Sequence, residues 1–380
     1  MAGPTYPAAR EAAPRIHALF ERHQVRAAAG VADRMAALPP PAVIEAVISA
    51  AFWASLRREE GYVPRISLAW LPPEHAVEPL LFANALPLRS DRLSKVAPAV
   101  ERAGIHLGVW HDGDGLAVWG TTRRVPSVCF VLEVAAPGLL VIKHHRADQA
   151  GKFFNVATLE GEAVKFIDED ASSLHVSSPV LSSLLGDGGA GFDAPPGVDM
   201  LVELAVSMRA HGRGGALVLV PDSGGRWRES VVQPMTYAVA PPFSGLSVLA
   251  RERPDASRWS VWRSELRRGV EGMAGLTAVD GATIITPDYE LLGFGAKLTR
   301  RRGQTPVERV LVTEPIEGHV PSFVEPAHLG GTRHLSAAQF VHDQRDAVVL
   351  VASQDGRFTI FGWAPAHDRV QGHRVEARLL

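Results

Sequence analysis

A single cysteine, Cys129, is all the thiol chemistry available to this sequence of 380 residues. It excludes an intramolecular disulfide and any multi-cysteine zinc site. Charge of one sign is also missing. The 39 Lys and Arg against 41 Asp and Glu leave a formal net charge of -2, which argues against a general polyanion binder. Long apolar runs are absent too: Ala42–Leu56, the most apolar stretch, contains Glu45 and is too short for a hydrocarbon core of about 30 Å. Met1 opens into Ala- and Pro-rich sequence without the basic start and apolar core of a secretory leader. These absences predict a cytoplasmic protein with no membrane partner. No P-loop, dinucleotide fingerprint or Gly-x-Ser-x-Gly elbow occurs. No basic stripe is interleaved with aromatics, so nucleic acid is not an expected partner. What is present, 46% hydrophobic and 21% charged residues, is enough for two or three domains with cores that need no staples.

Periodicity predicts helices over Ala8–His23 and, after the break at Pro39-Pro40-Pro41, over Ile44–Leu56 with Ile44, Val47, Ile48, Ala51, Phe52 and Leu56 on one face. Short apolar segments then predict strands: Arg65–Leu71, a hairpin Ile105–Trp110/Leu116–Trp119 around His111–Gly115, and a pair Val128–Val134/Leu139–Lys143. Leu93–Arg102 reads as a helix. Ala171–Val198, rich in Ser, Gly, Asp and Pro, is the linker candidate. Beyond it come a helix to Ala210, a strand Ala216–Val220, a helix Trp262–Val270 and a hairpin Thr283–Ile285/Leu291–Lys297. A helix Leu335–Gln344 and a hairpin Ala347–Ala352/Arg357–Trp363 close the chain. The hairpins Ile105–Gly120 and Val348–Gly362 share a strand–Asp-Gly–strand–Gly layout, a faint internal echo. The predicted fold class is α/β, with a mixed sheet flanked by helices over 191–380, an α+β domain over 61–190 and an N-terminal helical segment over 1–60.

Gly330-Gly331-Thr332-Arg333-His334 leads directly into a helix and carries the most chemistry. Thr332 suits an N-cap, and the glycines allow close approach of a ligand to the backbone. A helix N-terminus with an arginine fork favours phosphate, and His334 can exchange a proton near neutrality. Asp280-Gly281-Ala282 puts a carboxylate at the start of a strand, where it could hold a divalent cation against phosphates. Ser353 ends a strand. His111, Asp112 and Asp114 are weaker metal candidates. Lys143-His144-His145-Arg146 is either a basic rim or a solvated strand end.

In this order, Asp280-Gly281-Ala282, the Gly331-Thr332-Arg333-His334 loop and a strand ending at Ser353 resemble the diadenylate cyclase (DAC) domain, over residues 191–380. The resemblance implies that Asp280, Gly281, Ala282, Gly331, Thr332, Arg333, His334 and Ser353 contact a nucleotide, with a metal on Asp280. The sequence departs from that family at Leu335, where a second arginine stands, and at Gln354, where one branch has an acid. Its longer connection carries Lys297, Arg300, Arg301 and Arg302, either replacement phosphate contacts or a solvated loop. A branch labelled DACNV is similar through Gly295-Ala296-Lys297, Arg333–Ala337, Ser353–Gly356 and, earlier in the chain, Leu116–Gly120. That resemblance implies a sensor of nucleotides, cyclic di- or oligonucleotides included, in bacterial nucleotide signalling or antiviral defence. It would work through a separate effector protein and without a cofactor. The alternative is an active homo-oligomeric cyclase making cyclic di-AMP from two ATP with Mg²⁺ or Mn²⁺, with Asp280 and His334 catalytic.

Overall fold

The computed structural model describes residues 5–28, 35–59, 61, 63–102, 104–113, 115–145, 153–167, 200–221, 225–252, 254–255, 257–354 and 356–375. The linker candidate and Asp114, Arg146 and Asp355 lie outside them. The chain divides into two compact units, residues 1–167 and 168–379. Both are mixed α/β, with seven α-helices among the described residues and one mixed sheet in each unit. Among those residues no helix is long and apolar enough to cross a membrane.

In the first unit, α1 (Pro7–Ala28) buries Ala9, Ala12, Ala13, Ile16, Leu19 and Phe20 at helical spacing. Helix α2 (Pro41–Ser55) starts on Pro40 and Pro41, where a missing N–H costs nothing, and buries Ile44, Val47, Ile48 and Ala51. Leu56, expected on that face, is the C-cap and 49% exposed. Both helices share one core with the sheet, centred on Phe20, Trp70 and Phe130. The strands are β1 (Ser67–Trp70), β2 (Leu80–Pro87), β3 (His106–Asp112), β4 (Gly115–Thr122), β5 (Val131–Ala136), β6 (Leu139–His145), β7 (Phe153–Glu160) and β8 (Ala163–Phe166), in the order β2-β4-β3-β1-β5-β6-β7-β8. The helix expected over Leu93–Arg102 is α3 (Ser90–Val96) followed by a 3-10 turn to Val100. Pro98, lacking an N–H, cannot extend the α-helical ladder.

The second unit runs α4 (Met200–Ala210), β9 (Gly215–Leu219), β10 (Tyr237–Phe243), α5 (Gly245–Arg251), α6 (Trp259–Leu276), β11 (Ala282–Ile285), β12 (Leu291–Ala296), β13 (Val310–Thr313), β14 (Ser322–Val324), α7 (Thr332–Asp343), β15 (Val348–Ala352), β16 (Phe358–Ala364) and β17 (Arg369–Arg374). Its sheet order is β10-β12-β11-β9-β15-β16-β17-β13-β14. Helices cover both faces, so central strands are apolar at every position. Leu217, Leu219 and Leu350 join the core with α4 and α6, while Ala216, Val218, Val349 and Val351 join the core with α7.

The two sheets repeat one plan. Strands β1 to β7 stand in the same spatial order as β9, β10, β11, β12, β15, β16 and β17. Every pairing sense matches: β1/β3 and β9/β11 are parallel, and the other five neighbour pairs are antiparallel in both units. Helix α2 precedes β1 as α4 precedes β9. The difference is an insertion: β4 passes to β5 through residues 123–130, whereas residues 297–347 between β12 and β15 hold β13, β14 and α7. The hairpin that corresponds to β3–β4 is therefore β11–β12, not the Val348–Gly362 hairpin picked out by the sequence echo.

Candidate functional site

Sheet topology assembles the site. Strands β9 and β11 are parallel and in register at Ala216↔Ala282, so both begin at one edge. Strand β12 is antiparallel and ends there, Ala296 opposite Ala282, and β15 ends there too, Ala352 opposite Gly215. Asp280, Lys297, Gly214 and Ser353, each just beyond its strand, converge on that edge.

Gly281, Gly295 and Gly214 at the edge each answer a close approach. Gly281 has φ +121°, and a Cβ there would lie 2.4 Å from the Gly295 carbonyl carbon and 2.8 Å from the Ala296 nitrogen. Its partner Gly295 is itself left-handed, at φ +62°. Gly214, at φ +68°, lies beneath Arg333: a Cβ would be 3.0 Å from Arg333 Nη1, 3.2 Å from the Ala352 carbonyl and 3.3 Å from Gln354 Cγ. The arginine at the start of α7 is thereby placed over the connection into β9.

Asp280 Oδ2 accepts a hydrogen bond of 2.5 Å from Lys297 Nζ, with the two side chains 87% and 55% exposed. That bond, the Lys297 charge and the charge of Arg333 hold the Asp280 carboxyl below the usual aspartate range. Arg333 therefore acts electrostatically on the same carboxylate from the helix side.

Helix α7 is capped by Gly331 (φ -73°, ψ -170°), not by Thr332 as expected. The Gly331 carbonyl accepts from His334 N at 3.0 Å and Leu335 N at 3.4 Å, so Thr332 is already the first helical residue. No side chain caps this end, and helix geometry gives the N–H groups of Thr332 and Arg333 no intrahelical partner. Thr332 is exposed and Arg333 half-buried. His334 turns the other way: it is 3% exposed, stands edge-on to Phe361 at 6.0 Å, and lies so close to Gly330 that a Cβ there would be 2.5 Å from Nδ1. Ala282, 1% exposed, is also a core residue. Ser353 closes the β15–β16 turn through its backbone, its N–H donating to Arg357 O at 2.8 Å. Gln354 Nε2 donates to Arg213 O at 3.3 Å and ties that turn to the connection between α4 and β9.

The sequence motifs thus divide. Asp280 and Arg333 stand at the edge, Gly281 lets its strand ends pack, Gly331 caps α7 with Thr332 exposed beside it, and Ala282 and His334 are buried. Lys297 was legible as a strand end and as one of a run of basic residues, but not as the partner of Asp280, which is set by the Ala282↔Ala296 register. Arg301 of that loop is fixed elsewhere. Its backbone N–H donates to Asp343 Oδ2 at 2.7 Å and its Nε to Glu229 Oε2 at 2.6 Å, ten residues or about 15 Å along α7 from Arg333. A cavity of about 500 Å³, lined by Arg226, Arg301, His342 and Arg345 among others, opens at that far end and not at the Asp280 edge.

A divalent cation does not fit the donors present. Asp280 is paired with an ammonium, and among the described residues no three His, Cys, Asp or Glu side chains are grouped for a metal. His111 and Asp112 also belong to no such group among the described residues, which leave out Asp114. Lys143 pairs with Glu133 and lies over the Phe153 ring. His144 is 6% exposed and packs among Phe20, His23 and Phe154 as a core residue.

These features define a class: a mixed α/β protein of two like-plan units, the second presenting a cationic sheet edge at a helix N-terminus. Residues 33–123 match the model of the family described as probable sensor domain DACNV, so this segment carries that domain. The match spans α2 to β4 of the first unit and includes Leu116–Gly120, but not the edge with Asp280 and Arg333. No curated protein matches the chain.

Proposed function

We propose that the second unit is the ligand-binding part of a nucleotide sensor, and that it holds the phosphates of a nucleotide or cyclic dinucleotide at the β9/β11/β15 edge. The observation that carries this reading is the position of Arg333 over Gly214, at a helix N-terminus that no side chain caps and within electrostatic reach of the Asp280–Lys297 pair. A guanidinium, an ammonium and free N–H groups on one edge suit phosphate oxygens. The sensor domain match in the first unit agrees with a signalling role. In bacterial nucleotide signalling or antiviral defence, occupancy of this edge would be passed to a separate effector protein.

The test is calorimetric titration of the full chain with ATP and with cyclic di-AMP. Arg333→Ala is expected to weaken binding about 10- to 100-fold, as loss of a charge-assisted hydrogen-bond donor does. Affinity unchanged in that variant would place the phosphates elsewhere.

A further inference from the structure

We infer that Lys297, and not a divalent metal, supplies the second phosphate-binding cation of this edge, and that Asp280 is its counter-ion. The inference rests on the reading of the edge as a phosphate site.

Three observations carry it. Lys297 directly follows Ala296, which is fixed opposite Ala282, so the backbone itself delivers the ammonium to Asp280. The close packing of Gly281 on Gly295 locks the two strand ends that bear the pair. Second, one carboxylate already engaged by an ammonium is a poor start for a Mg²⁺ or Mn²⁺ site, and among the described residues it belongs to no group of three His, Cys, Asp or Glu side chains that could hold the ion. Third, the helix offers no second cation of its own: Leu335, the position after His334, is 44% exposed and apolar. Lys297 approaches the same edge from the strand side.

Charge then decides the role of each side chain. A phosphate is attracted by Lys297 and Arg333 and repelled by Asp280. With both members of the pair mostly in water, their mutual hold is weak, and phosphate oxygens can take over the ammonium. Asp280 keeps Lys297 at the edge in the free protein and opposes the ligand in the bound one. A metal-binding aspartate would do the reverse, so the two roles predict opposite signs for one substitution.

The experiment titrates ATP and cyclic di-AMP into the full chain by calorimetry, in EDTA and in Mg²⁺, with melting curves to show that each variant is folded. Binding in EDTA is expected to match that in Mg²⁺, with Lys297→Ala about tenfold weaker and Asp280→Asn about threefold tighter. Binding that requires Mg²⁺, or that is lost in Asp280→Asn and untouched in Lys297→Ala, would overturn the inference and leave the phosphate edge standing. Failure of the wild-type chain to bind either ligand in both buffers would overturn the two together.

Discussion

Alanine at Gly281 is expected to destabilise the second unit by about 4 kcal/mol, the sum of a forced left-handed backbone and an overpacked contact. The new Cβ would sit 2.4 Å from one backbone atom of Gly295 and 2.7 Å from another. Backbone of a paired strand cannot swing aside as a flexible side chain can. Gly295 has no room to retreat, since a Cβ on it would already be 2.8 Å from the Tyr237 ring. For a unit of this size the shift in melting temperature is about 10 °C. Gly331→Ala is the matched control, because nothing lies within 4 Å of its Cβ position and its φ is negative; it is expected to change stability by less than about 1 kcal/mol. Urea melts of the two variants decide the matter, and equal midpoints would mean that the Gly281–Gly295 contact is not made. The glycine of the Asp-Gly-Ala motif is therefore required by packing, whatever the aspartate does with a ligand.

Acid is expected to weaken the first unit through His106. Its ring is 3% exposed and bonded through Nδ1 to Ser67 Oγ at 2.7 Å. Burial, helped by the Lys143 charge and opposed by Glu133, lowers its pKa to about 4. Between the ordinary value of 6.5 and that lowered one, the unfolded chain binds a proton that the folded chain refuses. Stability therefore falls as pH falls through this window, by about 3 kcal/mol at its lower end. Burial holds His145 of the same unit low in the same direction, which adds to the effect. His106→Gln is expected to flatten the decline between pH 6.5 and 4 in urea melts followed by tryptophan fluorescence. An unchanged slope in that variant would remove His106 as its source.

The sequence exposes most of the secondary structure where burial is regular. The β15–β16 hairpin is legible because Val348–Ala352 is buried on both faces and a Gly-containing turn follows. Strand β17 is not, because Arg369–Arg374 reads as polar. Its Gln371 and His373 are buried nonetheless, each hydrogen-bonded to Thr313 of β13, and such pairing depends on a neighbour sixty residues away. Strand β10 hides behind Pro241 and Pro242, tolerated at an exposed sheet edge. At the site the motifs announce themselves singly, but their convergence depends on strand order and direction. Gly214 and Lys297 enter it only through the pairings of β9 with β15 and of β12 with β11. His334 shows the opposite case, a residue type suited to chemistry whose burial no sequence pattern announces.

The insertion between β12 and β15 has a consequence for how such a site comes and goes. Everything that delivers Arg333 to the edge, β13, β14 and α7, sits in one cassette within a seven-strand frame that the first unit closes without it. Adding or removing this cassette leaves the order and pairing directions of the seven frame strands unchanged, so the proposed capacity to hold a phosphate is modular and separable from the architecture that displays it. The frame itself still sets the other half of the edge, because Asp280 and Lys297 belong to its own strand ends.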